Sequence, residues 1–172
     1  MRSKLRRILN LRKIASSPTK LFLALIFILF AFFLQDFTKS SESFEARVIR
    51  VIDGDTLDIL SARGKERVRI YGIDAPELKQ EFGHKVKTYL QGLILNQKLT
   101  INYKNKDKCG RIVACVELGE KDIGKHLVSE GYAWAYWGKS YEGEQMKAKE
   151  SKKGLWQSKN PIEPFRWRKA NK

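Results

Sequence analysis

The chain has 172 residues, 42% of them hydrophobic, and carries 34 Lys and Arg against 19 Asp and Glu, a formal charge of +15. That length suits one globular domain plus an appendage. Two cysteines, Cys109 and Cys115, exclude a disulfide framework.

Residues 1–20 hold seven basic residues and no acid. Leu21 to Leu34 follows as 14 apolar residues without a break. As a helix this run spans ~21 Å, short of a ~30 Å hydrocarbon core. The length fits the hydrophobic region of a secretory signal, and extension to Phe37 gives a marginal membrane anchor. Small residues follow (Thr38, Ser40, Ser41, Ser43), although no Ala-x-Ala site stands out. A buried core helix is the alternative, opposed by the lack of a polar face and by the basic flank. Positive charge ahead of the run keeps that end in the cytoplasm and places the rest outside. Residues 1–43 are therefore expected to be a signal or anchor with a short linker that contacts a membrane. Residues 44–172 form the domain and its tail, exported as a secreted, periplasmic or outward-facing anchored protein.

Gln35 to Glu45 reads as a polar, serine-rich linker. From Phe44 onward 26 bases face 17 acids, so the domain alone is +9. A basic domain concentrates polyanions at its surface, or it simply has a soluble basic surface; charge alone does not separate the two.

Ala46 to Ile52 and Thr56 to Leu60 read as strands joined by an Asp53-Gly54 hairpin signal. After a turn at Arg63-Gly64-Lys65, Arg67 to Tyr71 alternates, with Val68 and Ile70 on one face. Pro76 breaks the strand. Three- and four-residue spacing of Phe82, Val86, Tyr89, Leu90, Leu93 and Ile94 predicts a helix from about Lys79 to Leu95. Lys98 to Tyr103 and Arg111 to Leu118 give two further strands. Asp122 is placed to cap a helix that reaches Glu130, stopped by Gly131. A last helix is expected over Tyr141 to Lys153, and the segment with Pro161, Pro164, Phe165 and Trp167 is expected to be extended. On one strand, the two cysteines would lie about 20 Å apart, which leaves two free thiols. The element order fits an α+β domain, mainly β: a five-stranded barrel of the OB type with about three helices.

Between Val51 and Glu77 the chain places four carboxylates, Asp53, Asp55, Asp74 and Glu77, with Arg69 between them. Phosphodiesters resist hydrolysis because their anionic oxygens repel nucleophiles and more charge builds in the transition state. A catalyst needs a cation or guanidinium groups around the phosphate, and a group to activate water. Aspartates from two strand ends can share one hard cation, and arginine presents a planar fork to phosphate oxygens. Each piece has a plainer reading. Asp53-Gly54-Asp55 is commonly a hairpin turn, Asp74-Ala75-Pro76-Glu77 a helix entry, and Arg69 a solvated strand residue. His84 and His126 have no metal-ligand spacing and read as surface or helix-packing residues.

Taken in order, VIDGDT, RIYGIDAPE and DKCGR, followed by GYAWAY and KKGLW, resemble the staphylococcal nuclease (thermonuclease) family from about Phe44 to Trp156, and the PFRWR ending beyond that stretch is similar to one in bacterial relatives. The resemblance implies an OB-fold, calcium-dependent nuclease that cleaves DNA and RNA to 3′-phosphate and 5′-hydroxyl ends. Magnesium is the alternative cation, since hard oxygen ligands suit both. By motif, Asp55, Asp74 and the Ala75 carbonyl correspond to the metal ligands, with Asp53 as supporting charge nearby. Glu77 corresponds to the residue that activates water, and Arg69 and Arg111 to the phosphate-binding guanidiniums. Lys108 adds positive potential, and Tyr136 is assigned to substrate.

Three departures stand out. Ala75 replaces a threonine, which a backbone ligand does not require. Cys109 stands where the family has tyrosine, removing a ring from the substrate side. Tyr132, Trp134, Tyr136 and Trp137 do not align with the family's stacking tyrosines. These rings either stack on bases, at ~1–3 kcal/mol each, or pack the core. A non-catalytic nucleic-acid-binding module is the competing reading; it would lack several of Asp55, Arg69, Asp74, Glu77 and Arg111, all present here. A cation site for another phosphorylated substrate ranks last, because no nucleotide-binding βαβ unit is present. No protein partner is expected, and the protein is read as a monomer.

Overall fold

The structure, a computed structural model, describes residues 18–37, 42–136 and 140–171. Trp137 and the basic residues ahead of Pro18 lie outside them. The chain divides into two units, Met1–Ser40 and Ser41–Lys172.

In the first unit the apolar run forms helix α1 (Pro18–Phe37). It continues through Gln35–Phe37, which the sequence reading gave to the linker. Leu21, Phe22, Phe27 and Phe30 are each more than half exposed. Among the described residues, no helix is long and apolar enough to cross a membrane.

The second unit is built on strands β1 (Ser43–Val51), β2 (Thr56–Ser61), β3 (Gly64–Ile70), β5 (Lys98–Lys106) and β6 (Ile112–Leu118). They run in the order β3-β2-β1-β5-β6, and β3 closes onto β6 in parallel, Arg69 opposite Val113. The result is a closed five-stranded mixed barrel, the expected α+β OB fold. Closure leaves no strand of the barrel with an open edge. A short strand β7 (Lys121–Asp122) pairs antiparallel with the end of β6, and β4 (Ile73–Asp74) pairs with β8 (Trp134–Ala135) in a separate ribbon. Sequence periodicity did not reveal these two-residue strands.

Alternation sets the inside of the barrel. Val48, Leu57, Ile59, Val68, Ile70, Leu99, Ile101 and Val116 are all buried. Helix α2 (Gly83–Ile94) covers them with Val86, Leu90 and Ile94, and helix α3 (Ile123–Ser129) with Ile123, Leu127 and Val128. Each such side chain contributes roughly 1.5–3 kcal/mol by leaving water. As expected, Asp122 caps α3, its carboxylate accepting the Lys125 N–H at 3.0 Å. Helix α4 (Glu142–Glu150) and a 3-10 turn (Gly154–Gln157) follow.

Two helix expectations in the second unit are corrected. Helix α2 begins at Gly83, not near Lys79, because the chain first makes tight turns (Gln80 N–H to Glu77 O, Gly83 N–H to Gln80 O) and Phe82 adopts a left-handed φ of 67°. A Cβ on Gly83 would collide with the Glu77 carbonyl, so only glycine lets α2 start beneath that loop. The segment expected to be extended instead forms helix α5 (Pro164–Ala170). Pro164 sits in its first turn, where proline's fixed φ and missing N–H carry no penalty.

One charged residue is buried in the barrel wall away from the cleft. Asp58, 1% exposed, accepts hydrogen bonds from Arg67 (2.8 Å) and Arg50 (2.6 Å). The Arg67 bond, with that of Arg50, holds its carboxyl below the ordinary value against its burial. A depressed folded-state value gives stability that is present above about pH 4 and lost as pH falls through that depressed value. Asp58→Asn should therefore cost about 1–3 kcal/mol near neutrality, an effect moderated by the half-exposed arginines. The gap between variant and wild type should close in acid. Thermal unfolding of both between pH 6 and pH 2.5 measures this; a gap independent of pH would refute it.

Candidate active site

The β1–β2 hairpin turn brings Asp53 and Asp55 to one rim of the barrel. Gly54 is needed there because a Cβ would lie 2.6 Å from the Ala75 Cβ and 2.7 Å from Val86. This close approach seats the turn on Ala75, just beyond β4. The Asp55 carboxylate accepts the Ala75 N–H at 2.8 Å and the Thr56 hydroxyl at 3.0 Å. Asp53 in turn accepts the Asp55 N–H at 3.0 Å. Two acidic clusters far apart in sequence are thereby joined.

Arg69, from β3, spans the two buried aspartates: Nη1 lies 2.8 Å from Asp55 and Nη2 3.0 Å from Asp74. It also donates to the Ile73 carbonyl at 3.0 Å. With its side chain 13% exposed, Arg69 organises the carboxylates as well as lining the cleft. Burial pushes the Asp55 carboxyl up to about 7; Arg69 opposes this and the neighbouring Asp53 and Asp74 add to it.

Arg111 enters from the turn before β6. Asp107 holds that turn, its Oδ1 accepting the N–H groups of Cys109 and Arg111 at 2.9 Å and its Oδ2 accepting Arg111 Nε at 2.7 Å. Although burial raises it, the Arg111 contacts hold Asp107 below the usual carboxylate value. The Arg111 guanidinium is thus aimed by its own motif, in which Asp107 stands four residues earlier.

A cleft of about 290 Å³ results, lined by Asp53, Asp55, Thr56, Arg69, Ala75, Pro76, Glu77, Arg111, Tyr136 and Arg168. Asp74 lies directly behind it, 1% exposed and bonded to Arg69 and Arg168. Of the residues expected at the site, only Lys108 is not brought in: it is exposed on the Asp107–Arg111 turn and does not line the cleft. Cys109 is exposed and lines an adjoining groove with Asp58, Lys65, Arg67 and Arg111. Tyr132 packs on Tyr89 and Trp134 edge-on against Trp156, each with ring centroids 4.4 Å apart. Among the described rings of that segment, only Tyr136 lines the cleft. His84 is exposed, and His126 meets the Tyr89 hydroxyl at 2.7 Å; neither approaches the cleft.

Sequence reasoning missed Thr56, Asp107 and Arg168. Asp107 carried a signal, the Asx turn of an Asp-x-x-Gly motif. Arg168 carried only the PFRWR ending, which does not say that its side chain meets Asp74 across 94 residues of sequence.

Among the described residues, no group of three His, Cys, Asp or Glu side chains has metal-holding geometry. Asp55, Asp74 and the Ala75 carbonyl are a smaller, all-oxygen donor set whose chemistry suits a hard cation, and in this arrangement both Asp74 oxygens are held by guanidiniums of Arg69 and Arg168.

Four carboxylates and two cleft-lining guanidiniums, Arg69 and Arg111, gathered at the rim of an OB barrel supply the groups that phosphodiester cleavage calls for. The model described as "Staphylococcal nuclease homologue" matches residues 67–158. An uncharacterized endonuclease of Haemophilus influenzae is 38% identical over 138 residues, 77% of this chain and 78% of that one. A micrococcal nuclease of Shigella flexneri is 35% identical over 144 residues, covering 75% and 83% of the two chains. An uncharacterized endonuclease of Escherichia coli is 33% identical over 129 residues, covering 71% and 83%. This chain belongs to the staphylococcal nuclease family and is a nuclease.

Proposed function

We propose that the protein is an exported, calcium-dependent endonuclease that hydrolyses DNA and RNA to 3′-phosphate and 5′-hydroxyl ends. The observation that carries this reading is the meeting of Asp55, Glu77 and Arg111 on one cleft, with Asp74 behind it bonded to Arg69 and Arg168. Asp55, Asp74 and the Ala75 carbonyl would hold the ion. When bound, calcium supplies charge neutralisation and Lewis acidity at the phosphate. Arg111, joined by Arg69, binds the phosphate oxygens and stabilises charge that grows in the transition state. Glu77 takes a proton from the attacking water as the new P–O bond forms. The P–O5′ bond breaks, the departing oxygen takes a proton from solvent water to become the 5′-hydroxyl, and Glu77 returns its proton to solvent. Tyr136 borders the path of the strand, and the +9 domain steers polyanions toward it. Export is supported by the basic segment followed by an apolar helix whose large side chains are exposed.

The test is incubation of the full chain with single-stranded DNA, double-stranded DNA and RNA, in Ca²⁺, in Mg²⁺ and in excess chelator, with the product ends identified. Cleavage in Ca²⁺ to 3′-phosphate ends, lost in chelator, is expected; 5′-phosphate products or full activity in EGTA would overturn the reading.

A further inference from the structure

Glu77 stands on Ala75–Phe82, a loop of turns between β4 and α2. Among the described residues, its carboxylate accepts a hydrogen bond from one side chain, Arg168 of α5, at 2.8 Å. The same guanidinium grips both oxygens of Asp74, Nη1 to Oδ1 at 3.1 Å and Nη2 to Oδ2 at 3.0 Å. A planar fork in this position sets the Glu77 carboxylate against the Asp74 carboxylate, and two like charges would otherwise drift apart.

The loop is fastened to the same segment in two further ways. Gln80 accepts the Glu77 N–H at 3.2 Å and donates to the Ile162 carbonyl at 2.6 Å. Trp167, Ile162 and Pro161 meet Pro76 and Phe82 around a cavity of about 120 Å³. A seven-residue helix such as α5 does not persist in water by itself, so its docking orders helix and loop together. Residues 159–172 lie beyond the stretch that the family model matches.

We infer that Arg168 is a positioning residue for hydrolysis: α5 delivers a guanidinium that holds Glu77 against Asp74 and so fixes the group that takes the proton from water. This rests on the reading of Glu77 as that proton acceptor. A brace of this kind acts on kcat, because it leaves the phosphate-binding Arg111 untouched. Charge alone does not replace it, since an ammonium cannot bridge two carboxylates in one plane.

The experiment compares full-length wild type with Arg168→Gln, Arg168→Lys, Arg168→Ala, Glu77→Gln and the control Arg166→Gln. Arg166 lies on the same helix, pairs with Glu163 and is three-quarters exposed. Cleavage of a fluorescent DNA oligonucleotide gives kcat and KM, and hydrogen exchange reports the amides of residues 77–82. Arg168→Gln should lower kcat by roughly 10²-fold, the scale of a displaced catalytic group, with KM little changed and faster exchange in the loop. Arg168→Lys should fall between, added guanidinium ion should restore part of the Arg168→Ala rate, and Arg166→Gln should match wild type. A kcat for Arg168→Gln at or above wild type overturns the inference, and a rise would mark the guanidinium as a plug. The two readings fail differently. An active Glu77→Gln variant removes the assignment of Glu77, whereas an inactive Glu77→Gln beside an active Arg168→Gln removes only the positioning role.

Discussion

Replacing Glu77 by glutamine lowers kcat by roughly 10²–10⁴-fold, the usual contribution of a positioned proton acceptor. Arg111→Ala lowers it by roughly 10²–10³-fold, as for the loss of one transition-state donor. Neither change should unfold the barrel. Both side chains are about one-third exposed and stand outside the apolar core. After Arg111→Ala, Asp107 keeps its backbone N–H from Cys109, so the turn retains its shape. Arg111→Lys should recover little, because lysine places a point charge where the turn aims a fork. Single-turnover cleavage of a labelled oligonucleotide, read beside the thermal melt of each variant, separates chemistry from folding. Wild-type rates in both variants would remove these residues from the mechanism.

Removal of the cation has the other large effect, and pH tunes it. Chelation should abolish cleavage outright. The sign of the pH effect follows from Asp55, whose carboxyl burial raises to about 7 in the cation-free protein. A cation needs the ionised carboxylate. Affinity should therefore fall about tenfold for each pH unit below that value, since one unit is a factor of ten in the ionised fraction. Above it, affinity should level off. Stability runs the other way. A raised folded-state value means that the native state holds more protons than the unfolded chain between about pH 4 and 7. The contribution of Asp55 is thus present below that window and lost as pH rises through it, opposite to Asp58. Calcium should restore the loss, so the rise in melting temperature on adding Ca²⁺ should be larger at pH 8 than at pH 5.5. Calorimetric titration with Ca²⁺ and melting curves at both pH values test the pair. Affinity independent of pH would mean that Asp55 is not a ligand.

Much of this site was legible in the chain because it is written locally. The Asp53-Gly54-Asp55 turn, the Asp74 to Glu77 run and the Asp107 to Arg111 turn each fix their own geometry within five residues. Alternating apolar residues in β2 and β3 likewise declare which face is buried. The start of α2 differs because Phe82 fits the helical apolar spacing although its left-handed φ keeps it and the turns before it outside the helix. Helix α5 was missed because its two prolines read as extended backbone, although the second is a favourable helix start. The two-residue ribbon of β4 and β8 is too short to carry a period.

What the sequence determined by itself is local: the acids Asp53, Asp55, Asp74 and Glu77, the guanidiniums of Arg69 and Arg111, and the strands of a barrel. These are matters of residue type and short-range spacing. The tertiary structure decided how the groups are shared. Arg69 turns inward to tie Asp55 to Asp74, Lys108 stays outside the cleft, and Tyr132 and Trp134 pack instead of facing it. Arg168 arrives from the far end of the domain to grip Glu77. Contacts across 91 residues leave no periodicity behind, because they depend on where a closed barrel and a docked helix finally place two side chains.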